Sequence, residues 1–217
     1  MRALPAIGAL LVGVMVLAIG YVLGMARESG RAADVPVPSV VDIGFAQDMS
    51  EHHDQAILMA RTLAPDVAPE VRGLADRIVV AQTAETATMR GWLTWFGEPA
   101  GAAEPMAWMH VDDGSGAHDH ETAADADGEH PPMPGTASTE QIQRLAAARG
   151  VDAEVLFLQL MIRHHEGGIE MATVARDDPR TGEATRQLAG SMIGEQNSEI
   201  GLMRGLLLAR GGQELAG

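Results

Sequence analysis

The 217-residue chain carries 30 Asp and Glu against 15 Lys and Arg, a formal net charge of -15. Nothing in that balance can neutralise a run of phosphates, which excludes nucleic acid as a partner. Cysteine is absent, so disulfides, a lipidated cysteine and every thiolate metal site are excluded too, while 13 Met and 8 His stand beside one Tyr and 3 Phe.

The first element is apolar. Residues 3–26, "ALPAIGALLVGVMVLAIGYVLGMA", form an uncharged run that meets the ~20 residues needed to cross a bilayer. Residues 1–33 are therefore expected to be an N-terminal transmembrane or signal helix. Charge placement favours a cytoplasmic N-terminus and an extracytoplasmic domain at the cell membrane. "GMA" before Arg27 fits a small-x-small cleavage site, which would give a secreted or periplasmic protein instead. The run exceeds the usual signal-peptide core of roughly 7–15 residues, so the uncleaved anchor is preferred.

Residues 34–217 are expected to form an all-α domain. After the tether "DVPVPS", Ser39 and Asp42 pattern as a capping box for a helix ending near Leu63, before Pro65. A second helix should run from about Pro69 to Phe96, stopped by Gly97 and Pro99, completing a helix pair over 40–97. A Gly-, Ala- and acid-rich loop over 98–137 has too little apolar content to fold alone. The second pair, 138–211, opens with a short lead helix capped by Ser138 and Gln141 and ended by Gly150. Asp152 is expected to cap the third main helix, to about Arg176. Asp178-Pro179 reads as an N-cap with Pro at the first helical position of a fourth, ending near Arg210.

The two pairs repeat each other. "FAQDMSEHHDQAILMA" (Phe45–Ala60) returns as "FLQLMIRHHEGGIEMA" (Phe157–Ala172), and Gln82, Glu85, Met89 and Arg90 return as Gln196, Glu199, Met203 and Arg204. A two-helix unit cannot bury its own apolar face, so two copies should close into a four-helix bundle.

Helical phase, roughly 100° per residue, puts Phe45, Met49, His52, Ala56, Met59 and Leu63 on one stripe, with His53 at its edge. Phe157, Met161, His164, Gly168, Met171 and Ala175 repeat it, flanked by His165. Glu85 and Glu199 fall mid-stripe on the second and fourth helices. A carboxylate buried without a partner costs several kcal/mol, so two readings compete. One is a closed His–Glu network that fixes register, with Met filling space. The other is a metal site on facing helices.

For the second, Met49, His52, His53 and Met59 from one box and Met161, His164, His165 and Met171 from the other offer imidazole and thioether, with Glu85 and Glu199 as ligands or orienting groups. Thioether suits Cu(I), and imidazole suits copper and zinc. Copper ranks first and zinc second. Di-iron ranks last, because no Glu-x-x-His motif accompanies the two inward carboxylates. The loop adds Met106, Met109, His110, His118, His120, His130 and Met133, a tract that captures metal loosely or serves as a solvated linker.

The doubled "F…M..HH..A..MA" box, each followed by a Q-x-x-E-x-x-x-M helix, resembles the bacterial domain-of-unknown-function family 305. The segment from Met133-Pro-Gly135 into the second box is similar to that family's central segment. The resemblance spans about Val40 to Arg210. It implies a ferritin-like four-helix domain, often exported, and some members are linked to periplasmic copper binding and tolerance through Met and His. Here that implication falls on Met49, His52, His53, Met59, Met161, His164, His165 and Met171. Gly167-Gly168 stands where the first box has Gln55-Ala56, and Thr136 follows the Met-Pro-Gly turn where relatives often carry Met.

The expected function is copper sequestration, delivery or tolerance outside the cytoplasm. The metal ion and the membrane are its partners, and no protein partner is indicated. The alternative is a metal-independent structural or interaction module. A redox enzyme ranks third, since no nucleophile or phosphate-loop motif accompanies the polar stripe.

Overall fold

The structure, a computed structural model, describes residues 15–22, 37–110 and 133–215. All regular structure among them is helical. Met1–Val37 and Pro38–Gly217 form separate units. In the first, residues 15–22 are helical with exposed side chains. No helix among the described residues is long and apolar enough to cross a membrane, and most of the expected anchor lies outside them.

In the second unit, α1 (Val40–Thr62) starts at the predicted box: Ser39 accepts from the Asp42 N–H, and the Asp42 carboxylate accepts from the Ser39 N–H. Pro69 opens α2 (Pro69–Phe96), and Gly97, at φ 75°, ends it in the left-handed conformation that only glycine adopts without strain. A 3-10 turn covers Ala107–His110. α3 (Thr139–Ala147) carries the second box, Ser138 with Gln141.

Two helix starts differ from expectation. α4 (Gly150–Asp177) begins ahead of Asp152, because Gly150 takes φ 52° and turns the corner out of α3. Asp152 sits instead in the first turn, where a carboxylate complements the helix dipole. α5 (Glu183–Ala209) begins at the N-cap Gly182, not at Pro179. The Asp178 carboxylate folds onto the backbone and guanidinium of Arg180, so it closes a turn rather than a helix end.

α1 packs on α2, α4 packs on α5, and the two hairpins meet mainly along α1 and α4. Two apolar clusters lie at opposite ends. One includes Met59, Met161, Met203, Leu74, Ile78 and Phe157. The other includes Phe45, Met49, Met89, Met171, Met192 and Trp108. Met49 shares a cluster with Met171, and Met59 shares one with Met161, so α1 and α4 run antiparallel, with the histidines between the clusters.

The expected loop is not wholly unattached. Gln47 donates to the Pro99 carbonyl at 2.8 Å. Buried Asp48 accepts from the Met106 N–H at 2.7 Å and from Trp108 Nε1 at 2.8 Å. Trp108 lies where a Gly44 Cβ would come within 2.5 Å of its ring, and it meets Phe45 edge-on at a centroid distance of 5.8 Å. The apolar content judged too small for independent folding is enough to dock this strap on α1.

Candidate metal centre

The two boxes meet. His52 on α1 and His164 on α4 approach to 3.8 Å between ring centroids, tilted by 35°. His52, His53, His164 and His165 are all at most 1% exposed. Their antiparallel helices place both His-His pairs at one level of the core. His53 and His165 then point toward α2 and α5, where Nε2 of each lies 2.7 Å from a carboxylate oxygen, of Glu85 and Glu199 respectively. Those two carboxylates keep a solvent edge, at 13% and 21% side-chain exposure. They serve the histidines from the rim rather than the middle of the core.

The Met-Pro-Gly turn docks beside this layer. The Pro134 carbonyl lies 3.1 Å from His52 Nε2. A carbonyl only accepts, so in the neutral ring the hydrogen is on Nε2 and Nδ1 is bare. Gln55 clamps the turn's exit, accepting from the Ala137 N–H at 2.7 Å and donating to the Ala137 carbonyl at 3.0 Å. A Cβ on Gly167 would lie 2.0 Å from the Pro134 oxygen, and one on Gly135, itself at φ 74°, would lie 2.3 Å from the Arg163 carbonyl. The Gly-Gly of the second box is thus the seat of this turn. A Cβ on Gly168 would come within 2.7 Å of Gln196 Oε1 and 3.2 Å of His52 Cε1, so Gln196 belongs to the layer as well.

Many polar atoms here are buried without hydrogen bonds among the described residues: Nδ1 of His52, His53 and His165, both ring nitrogens of His164, both amide atoms of Gln196, and Gln82 Oε1. Such atoms are uncommon in native cores and call for a reason. Burial, reinforced by His53, lowers His52 to about 3. Burial, reinforced by His165, does the same to His53. His164 falls well below its ordinary value through burial and the neighbouring His52. These rings are neutral at physiological pH, the state in which imidazole binds metal. Burial, with the Glu199 charge nearby, raises Glu85 to about 7.

The remaining predicted ligands fall in three places. Met49, Met59, Met161 and Met171 are fully buried and lie in the apolar clusters on either side of the histidine layer. Met106 is buried in the same cluster as Met49, and Met109 and Met133, both half-buried, pack against it. His110 is exposed. His118, His120 and His130 lie outside the described residues. No three His, Asp or Glu side chains among the described residues form a ready metal cage.

Pro134, Gly135, Gly167, Gln196 and Asp48 were not among the predicted site residues. Adjacent glycines inside an otherwise strong helical pattern were the available signal.

The family model described as "Domain of unknown function (DUF305)" matches residues 42–207. The chain belongs to that family. It is 35% identical to a DUF305 protein of Streptomyces coelicolor proposed to be secreted, whose crystal structure superposes with a TM-score of 0.69 over 82% of this chain and 98% of that one. A DUF305 fragment from Deinococcus radiodurans is 27% identical, with a TM-score of 0.61 over 79% of this chain and 98% of that one. CopM in the Cu(I)-bound form shares the fold, with a TM-score of 0.54 and 24% identity over 77% of this chain and 96% of that one. No curated protein matches the sequence.

Proposed function

We propose that this DUF305 chain is an extracytoplasmic copper-binding protein that sequesters or hands over the ion, built as a ferritin-like bundle of two repeated helix pairs. The observation that carries this reading is the set of bare, buried imidazole nitrogens where the two repeats meet, with burial keeping His52, His53 and His164 neutral. His52 and His164 are the central donors. His53 and His165 offer Nδ1 while Glu85 and Glu199 take the opposite nitrogen, the arrangement by which carboxylates orient ligating histidines. Met49, Met59, Met161 and Met171 bracket the layer with thioethers, which suit Cu(I).

The donor set fits copper better than zinc. Zinc takes four tetrahedral ligands in structural sites, and no three-ligand cage is ready among the described residues. Cu(I) accepts two nitrogens, or nitrogen and sulfur. The Cu(I)-bound relative of the same fold and the secretion proposed for the Streptomyces relative point the same way, as does the apolar N-terminal run, read as an anchor or a cleaved signal. His110, His118, His120 and His130 would raise the local metal concentration without forming the principal site.

The closed pairs His53–Glu85 and His165–Glu199 favour a second reading, a metal-independent helical module. That reading leaves the ring nitrogens of His164 and the amide of Gln196 buried without hydrogen bonds among the described residues, which is why it ranks below copper. Titration of Cu(I) against a competing chelator separates the two. Joint replacement of His52, His53, His164 and His165 by Ala should abolish tight binding. Unchanged affinity would remove the bundle from the site, and loss only on deleting residues 111–132 would move it to the loop.

A further inference from the structure

The two repeats are alike in sequence but not in how their central histidines are held. Three of the four rings have Nε2 occupied: His53 by Glu85, His165 by Glu199, and His52 by the Pro134 carbonyl. His164, the repeat partner of His52, has no hydrogen bond at either nitrogen among the described residues. The difference comes from the Met133–Gly135 turn, which precedes the second repeat and reaches His52 but not His164 among the described residues.

We infer that this turn is the positioning element of the histidine layer: the Pro134 carbonyl fixes His52 as its Nε2–H tautomer with a bare Nδ1, whereas no such acceptor sets the tautomer of His164 among the described residues. The metal role of this asymmetry rests on the copper reading above, whereas the tautomer assignment does not. The geometry is heavily determined. Gly167 admits the Pro134 oxygen where any side chain would collide, Gly135 lies against the Arg163 carbonyl, and Gln55 grips Ala137 through both amide atoms. Arg163 adds a donor to the Thr136 carbonyl at 3.2 Å. A turn anchored by so many contacts holds its carbonyl in place, and a fixed acceptor selects one tautomer of the ring before it. A metal ligand held in the right tautomer binds without first reorganising, and loss of such an orienting partner costs about 10–100-fold in affinity.

The experiment uses the full chain with 15N-labelled histidine, the His52 signals being assigned against a His52→Ala spectrum. Gly167→Ala drives a methyl into Pro134. Gly194→Ala, where a Cβ meets nothing within 4 Å, is the matched control. In the metal-free wild type and the control, His52 should show a single Nε2–H form. In Gly167→Ala it should show mixed tautomers, and Cu(I) affinity by chelator competition should fall by about tenfold or more. A His52 tautomer unchanged in Gly167→Ala overturns the inference, as does a changed tautomer with unchanged copper affinity. Should Gly167→Ala not fold, Gln55→Ala loosens the same turn without a collision, and the same two readings decide. A wild type that binds no copper overturns the function proposed above, and the tautomer reading alone then decides whether the turn holds His52.

Discussion

Asp42, in the first turn of α1, accepts the backbone N–H of Gly182, the N-cap of α5, at 2.9 Å across 140 residues of sequence. The other repeat answers it. Glu154, in the first turns of α4, accepts the N–H of Ala68, the N-cap of α2, at 2.7 Å. Neither N-cap has a side chain that could cap its own helix, and the first N–H groups of a helix need acceptors. Each histidine helix thus caps the partner helix of the other repeat, which ties the hairpins together at both ends of the histidine layer.

Loss of these links should be unequal. Asp42→Ala removes one cap between repeats and one capping box, and a cost of about 1–2 kcal/mol is expected. Glu154→Ala also strands Arg210, its ion-pair partner at 13% side-chain exposure, and breaking a buried pair from one side costs about 3–5 kcal/mol. Urea midpoints of the two variants should fall in that order, and equal losses would contradict the assignment.

Acid should unfold the protein through its histidine layer. His52 and His53 drop from 6.5 to about 3 on burial, and His164 drops well below 6.5. Between those values the unfolded chain binds more protons than the folded one, so stability falls as pH drops through 6.5. Glu85, raised from 4.5 to about 7, and Asp48, raised by burial, act in the opposite sense. Three histidines outweigh two carboxylates, at up to about 1.4 kcal/mol per pH unit for each group. Denaturant midpoints measured from pH 7.5 to 4.5 should decrease, and a midpoint that rises on acidification would reverse the argument.

Copper should stabilise the fold by mass action. A ligand that binds only the folded state at about 1,000 times its Kd adds about 4 kcal/mol. Thermal melts should therefore shift upward with Cu(I), return with chelator, and shift less with Zn(II). The shift should vanish in a His52→Ala, His164→Ala double variant. No shift in the wild type would favour the metal-independent module.

The strap is testable through one glycine. A Cβ on Gly44 would lie 2.5 Å from the Trp108 ring, so Gly44→Ala should lift Trp108 from its slot at a cost of about 1–3 kcal/mol. Trp108 would then move toward water, and tryptophan emission should shift to the red. Trp108→Phe in the same background should remove that shift.

The sequence by itself determined the helices, their pairing into two repeats and the faces they bury, because those follow from local phase and capping. Phe45, Met49, His52 and Met59 share a stripe in any helix that spans them, and their repeat implies a second helix able to cover it. Family membership was legible for the same reason, since the doubled box is a pattern along one dimension. Only the tertiary structure decided which atoms meet. That Glu85 serves His53, that Pro134 serves His52, and that Gly167 is a seat rather than a helix defect all depend on groups brought together across long stretches of chain. Helical phase says which way a side chain points, but a hydrogen bond needs a distance, and that distance is set by how the two hairpins and the turn between them pack.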